Sequence, residues 1–226
     1  MRASAGAALL LAALAFSPAV AGGLPDGFVY LADIAPHIRQ DMRYAGGRNF
    51  TGARVPGYAV GQCVLAEPAT QALSAAGDAL AAKGFGLMVL DCYRPRKAVR
   101  HFMAWAGTGK GFDARYHPRT DRSALVAQGY IARYSGHSAG YTVDLTLTDR
   151  AGKELDMGTP FDFFDPRSAT ASRDIAAVAA RRRAVLVKAM KRAGFTNYSR
   201  EWWHFSLRRA PKPARAHDFD IIPRGG

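Results

Sequence analysis

A single mixed α+β domain is what this sequence predicts, on three observations. The chain has 226 residues, about one domain's length. Stretches with helical spacing of apolar residues stand beside stretches of two-residue alternation. The two kinds do not alternate regularly as strand, helix and strand, so a small, mostly antiparallel sheet flanked by helices is expected in place of a parallel α/β sheet. Hydrophobic residues make up 49% and charged residues 22%, which excludes wholesale disorder and coiled coil.

The first 21 residues stand apart. Arg2 gives a positive start, Ala5 to Phe16 is apolar, and Ala19-Val20-Ala21 fits a small-x-small cleavage site. The run is shorter than the roughly 20 apolar residues of a membrane span, and Pro18 breaks it. Residues 1–21 therefore read as a cleaved signal peptide, and residues 22–226 as the working domain. No later segment has 18 consecutive apolar residues, so no stable membrane insertion is expected of the mature chain. Export gives Cys63 and Cys92 a meaning, because two cysteines in an oxidising compartment commonly pair. A bridge would close a loop of about 30 residues and contribute roughly 3–4 kcal/mol by chain entropy. Two separate buried thiols are the alternative.

Along the domain, residues 24–62 read as loops with one strand near Phe28 to Leu31. Glu67 to Lys83 has Leu73, Ala76 and Leu80 at helical spacing, with Gly84 as its stop. Phe85 to Leu90 reads as a buried strand, and Pro95 to Trp105 as a helix opened by its proline. Residues 106–135 are mixed and polar and read as a long surface excursion. Thr142 to Thr148 alternates, with Val143, Leu145 and Leu147 on one face and Asp144 on the open one, the pattern of a half-buried strand. Arg173 to Ala193 is the longest helix candidate, with Ile175, Val178, Val185, Leu186 and Met190 as its apolar stripe and Gly194 as its cap. Glu201 to Leu207 is strand-like, and residues 208–226 read as a tail lying over the domain.

Net charge is +13, from 31 Lys and Arg against 18 Asp and Glu. The densest basic cluster, Arg181-Arg182-Arg183, falls in the middle of the long helix and reads as a solvated face. No nucleic-acid-binding signature accompanies it, so nucleic acid is not an expected partner. A weak attraction to anionic wall polymers is compatible with the charge.

The chemistry is carried by Ser135-Gly136-His137 through Asp144, and by Glu201-Trp202-Trp203-His204. Imidazole and carboxylate are good zinc ligands, and a catalytic zinc takes three protein ligands and keeps a fourth position open. His137, Asp144 and His204 would supply such a set. Glu201 could stand beside the metal without binding it and take a proton from water. Strand residues three apart face opposite ways, so Glu201 and His204 need a turn or bulge at Trp202-Trp203, or a strand that begins only there. On spacing alone, structural histidines and turn chemistry remain open.

The motifs resemble those of the zinc D-Ala-D-Ala dipeptidases (VanX type), relatives of the D,D-carboxypeptidases and of the Hedgehog signalling domain. Six pieces carry the resemblance in order, from about residue 28 to about residue 222. They are Asp41-Met42-Arg43-Tyr44 with Asn49-Phe50-Thr51-Gly52 and Gly57-Tyr58; Asp91-Cys92-Tyr93-Arg94-Pro95; Ser135-x-His137; Asp144-Leu145-Thr146-Leu147; Met157 through Asp165; and Glu201-Trp202-Trp203-His204. The resemblance implies a Hedgehog-like, D,D-peptidase-like fold with one zinc per chain on His137, Asp144 and His204. Glu201 matches the catalytic base and Arg94 the arginine that stabilises the oxyanion. Tyr44, Ser135 and Asp162 match positions lining the substrate pocket, with Asp162 suited to a dipeptide ammonium and Ser135 to its carboxylate. Asp165, before Pro166, reads as a turn residue.

The implied activity is hydrolysis of the small dipeptide D-Ala-D-Ala in cell-wall peptide turnover, and export with a wall substrate places it in the periplasm, with full secretion as the alternative. Tyr141-Thr142 departs from the small residues often found there, and Thr142, expected on the face of Asp144, could alter the pocket. Two rivals remain. A D,D- or L,D-carboxypeptidase acting on longer peptides needs an open groove, against which the intact 157–165 motif argues. A zinc-containing binding module without turnover would lack the base or the arginine, and both are present. Oligomeric state is not legible.

Overall fold

The computed structural model describes residues 23–225. The expected signal peptide lies outside the described residues.

Strand β1 (Phe28–Tyr30) runs directly into the one-turn helix α1 (Leu31–Ile34), and the two-residue strand β2 (Arg39–Gln40) follows. Strand β3 (Val64–Ala66) returns to pair antiparallel with β1. Helix α2 (Glu67–Ala81) begins at once, with a proline in its first turn, where the missing N–H has no helical partner to lose. Leu73, Ala76 and Leu80 form its buried stripe, as their spacing requires. At Gly84 the backbone adopts a φ of +81°, open to glycine at little cost, and the chain turns into β4 (Gly86–Asp91). Helix α3 (Arg96–Gly107), strand β5 (Thr142–Thr148), helix α4 (Ala177–Arg192) and strands β6 (Phe195–Asn197) and β7 (His204–Leu207) complete the element order.

The main sheet has the order β2-β4-β5-β7-β6. Its β2–β4 pair is parallel and the other three pairs are antiparallel. Helices α2 and α4 pack against each other and against the sheet. The sequence expectation of a mixed domain with a mostly antiparallel sheet is what is found.

Four details differ from the sequence reading. Strand β5 is buried on both faces along its whole length, not half-exposed. It is the middle strand, and of its polar residues Thr142 is paired internally, its Oγ1 lying 2.8 Å from Ser206 Oγ on β7. Helix α4 begins at Ala177, after Ile175, and its buried stripe is Ala179, Arg183, Leu186 and Met190, while Val178 is exposed. Arg183 is therefore not on a solvated face; it is 1% exposed. Residues 106–135 hold no long element, yet they are not a surface excursion throughout: Leu125 and Ile131 are buried.

The tail lies across the domain as expected. Phe219 stacks on Tyr93 with centroids 4.0 Å apart, and the His217 N–H donates to Ser138 O at 2.8 Å. Cys63 and Cys92 are bridged, joining the residue before β3 to the residue after β4. Both are buried.

Candidate metal centre

Register across the middle of the sheet sets the site. Asp91 on β4 pairs with Asp144 on β5, and Asp144 pairs with His204 on β7. A bulge between Val89 and Asp91 shifts the β4 register just before this level. Such a bulge re-aims the side chains that follow it. Three neighbouring strands thus present three polar residues abreast.

His137 reaches them from a single 3-10 turn, Gly136–Ala139. Ser135 caps the turn, its hydroxyl accepting from the His137 N–H at 3.3 Å, and Gly140 ends it at a φ of +78°. A side chain at Gly140 would collide with the Phe28 ring and the backbone of Ala66. His137 Nδ1 lies 2.7 Å from Cys92 O, so Nδ1 carries the proton and Nε2 offers its lone pair to the site.

His137 Nε2 is 3.3 Å from Asp144 Oδ2 and 3.3 Å from His204 Nδ1. His204 Nδ1 is 3.0 Å from Asp144 Oδ1, a buried oxygen without a hydrogen-bond partner. Two ring nitrogens and a carboxylate facing one another, short of donors, match what a divalent cation needs. The three ligand atoms lie within 4.8 Å of one another, a possible metal site. Burial alone would raise the Asp144 carboxyl, but the two imidazoles beside it hold it below the usual carboxylate range. Burial works against a charge on His204, and Asp144 outweighs it, so that imidazole is raised.

The conflict over Glu201 is resolved by a turn. Strand β7 begins only at His204, and the His204 N–H donates back to Glu201 O. Asn197 Nδ2 pins the turn by donating to Glu201 O and His204 O, both at 3.0 Å. Glu201 Oε2 comes to 3.6 Å from His204 Nδ1. Burial, with Asp144 adding to it and His204 opposing, raises the Glu201 carboxyl to about 7.

Arg94 Nε donates to Asp91 Oδ2 at 2.9 Å, and Nη2 lies 3.4 Å from Asp144 Oδ2. Its guanidinium covers the Tyr44 and Phe102 rings, 5.2 and 5.3 Å from their centroids. Burial opposes its charge and Asp91 outweighs burial, so Arg94 stays cationic. Asp91, fully buried, also accepts from Tyr58 at 2.7 Å and sits 3.5 Å from His137 Nδ1. It orients both the arginine and the histidine. Its spacing of three before Arg94 was the signal available for it in the sequence.

Tyr44 donates to Asp162 Oδ2 at 2.9 Å. Asp162 is buried and has a φ of +57°, an uncommon conformation that aspartate tolerates better than most residues. Burial, followed by the charge of Asp144, raises its carboxyl well above the usual range.

A cavity of about 230 Å³ brings Tyr44, Arg94, Ser135, Asp144, Asp162, Glu201 and His204 to one wall. That is below the size of common drug-binding pockets and suits a small ligand. His137 lies behind the wall, fully buried. Thr142 packs under Gly136 instead of entering the cavity, so it does not reshape the pocket as expected. Tyr130, Ile131 and Tyr134 do line it. Aromatic residues within a polar stretch were the only hint that residues 106–135 reach the site. Asp165 caps the turn at Pro166–Ser168, and it also takes two hydrogen bonds of 2.6 Å from Arg119.

A family model described as D-ala-D-ala dipeptidase matches residues 25–222. A D-alanyl-D-alanine dipeptidase of Enterococcus faecium is 39% identical over 198 residues, covering 86% of this chain and 98% of the relative. One of Enterococcus faecalis is 37% identical, covering 88% and 100%. One of Streptomyces coelicolor is 38% identical, covering 86% and 98%.

Proposed function

The chain belongs to the D-Ala-D-Ala dipeptidase family, and from that premise we propose that it hydrolyses D-Ala-D-Ala to two D-alanine molecules with one zinc ion. It is a hydrolase of dipeptides. The observation that carries the rest of the reading is the convergence of His137, Asp144 and His204 beside Glu201 at a small cavity whose wall also holds Asp162.

His137, Asp144 and His204 would hold the metal. When bound, zinc supplies Lewis acidity toward an amide carbonyl and toward water. Glu201 takes the proton of the attacking water and returns it to the amide nitrogen as the C–N bond breaks; burial, which raises its carboxyl, favours its holding that proton between the two steps. Arg94 donates to the oxyanion that develops on the carbonyl oxygen. Asp162, held by Tyr44, receives the substrate ammonium, whose charge restores the carboxylate that burial disfavours. Ser135 receives the carboxylate. A site that binds both termini accepts dipeptides and rejects longer chains.

The test is D-alanine release from D-Ala-D-Ala, L-Ala-L-Ala and a pentapeptide ending in D-Ala-D-Ala, with and without chelator. Cleavage of D-Ala-D-Ala alone, abolished by chelation and restored by zinc, is expected. Pentapeptide cleavage points to a carboxypeptidase, and no cleavage with zinc bound removes the dipeptidase reading.

The same reading includes export to the periplasm, motivated by the cleavable segment at residues 1–21 and consistent with the Cys63–Cys92 bridge. Mass measurement of the protein from a periplasmic fraction should find a chain beginning at Gly22. Recovery of the uncut chain from the cytoplasm would overturn it.

A further inference from the structure

Arg183 has no role in the chemistry above and, among the described residues, no carboxylate in ion-pair contact, yet it is 1% exposed. Its guanidinium is spent on backbone carbonyls. Nε donates to Met157 O at 2.7 Å, and Nη1 donates to Arg167 O at 3.0 Å and Ala169 O at 2.8 Å. These carbonyls lie at the two ends of the segment 157–169, at whose middle stands Asp162. Nη2 lies 3.4 Å from Thr159 Oγ1, and Trp202 Nε1 donates to the same oxygen at 2.9 Å. The Trp202 N–H in turn donates to Ser168 O at 3.0 Å. One side chain from α4 therefore clamps both ends of the loop that carries Asp162 and ties it, through Trp202, to the turn that carries Glu201.

Burying a guanidinium costs free energy unless every donor is used. Helix packing alone would be met by an apolar residue, as it is at Ala179, Leu186 and Met190. What an arginine adds is a rigid fork that reaches carbonyls in two directions. The loop needs such a clamp, because it holds Asp162 at a positive φ that a free segment would relax.

We propose that Arg183 is a positioning residue that sets recognition of the substrate's amino end by holding Asp162 against Tyr44. This rests on the dipeptidase reading. Lysine at 183 keeps the charge but cannot bind both ends of the loop.

The experiment measures kcat and KM on D-Ala-D-Ala for the zinc-loaded wild type, Arg183→Lys, Asp162→Asn and the double variant. It is paired with hydrogen exchange of residues 157–169. Arg183→Lys should raise KM about tenfold with kcat within about threefold. The double variant should be no worse than Asp162→Asn by more than about threefold, because the two act on one contact. Exchange should quicken in residues 157–169 and not in β4 or β5. An unchanged KM, effects that multiply in the double variant, or unchanged exchange would overturn the proposal. If the wild type itself leaves D-Ala-D-Ala intact, the dipeptidase reading fails, and the exchange data still judge the clamp. Should Arg183→Lys not fold, Thr159→Val, which removes the hydroxyl shared by Arg183 and Trp202, carries both measurements with the same expected direction.

Discussion

Replacing Glu201 with glutamine should lower kcat on D-Ala-D-Ala by about a thousandfold and leave KM within a fewfold. Glutamine fills the same volume and can still accept and donate hydrogen bonds, but it cannot take a proton. The donors of the three ligand residues are untouched, so metal content measured on the purified variant should equal that of the wild type. The pH profile sharpens the result. Glu201 must be ionised to act as base, so wild-type kcat/KM should rise with pH through the ionisation of its carboxyl and then level. Burial places that ionisation at about 7, and a divalent cation beside it draws the rise to lower pH. The glutamine variant should lose this limb. A variant that keeps kcat within about tenfold and keeps the acid limb would show that another group moves the proton.

The second large effect is expected at Arg94. Arg94→Lys should reduce kcat by about a hundredfold or more, the size typical of losing one preorganised oxyanion donor. Lysine preserves the charge, so the loss isolates the placement of the donor. In the native site that placement comes from Asp91, which takes Nε at 2.9 Å and Nη2 at 2.8 Å, and from the aromatic rings of Tyr44 and Phe102 beneath. The same substitution should lower the melting temperature, because Asp91 is fully buried and loses part of its hydrogen bonding. Kinetics and thermal denaturation on one preparation check both halves. Full activity with a lowered melting temperature would assign Arg94 to structure alone.

The parts of the molecule that sequence makes legible are those whose cause is local. The stripe of α2, the stop at Gly84 and the need for a turn between Glu201 and His204 follow from neighbours within one or two turns of chain, and the structure has all three. The candidate metal set is read for another reason: spacing alone leaves structural histidines open, and the resemblance of two separate motifs singles out the three residues whose ligand atoms the structure brings within 4.8 Å of one another. What is not legible depends on what arrives from far away. Strand β5 alternates, yet both faces are covered, because distant segments roof the polar one. Arg183 follows two other arginines, so no local rule separates it from a solvated face. Only the carbonyls of Met157, Arg167 and Ala169 do so. The pocket wall at residues 129–132 and Tyr134 is missed because a segment without periodicity carries no statement about which side of it is buried.

Two of the three proposed metal-binding side chains stand on adjacent strands of the central sheet, at one level of its register, whereas the proposed substrate contacts Tyr44, Ser135 and Asp162 stand outside its strands. Strand spacing of about 4.8 Å fixes the first group and is indifferent to what happens in the second. Loops tolerate insertion and exchange, and strands do not. The Asp144–His204 pair and the substrate contacts are thus held by separate parts of the fold. A descendant could lengthen residues 106–135 or recut residues 157–169 and acquire a different small amide as substrate, without moving Asp144 relative to His204.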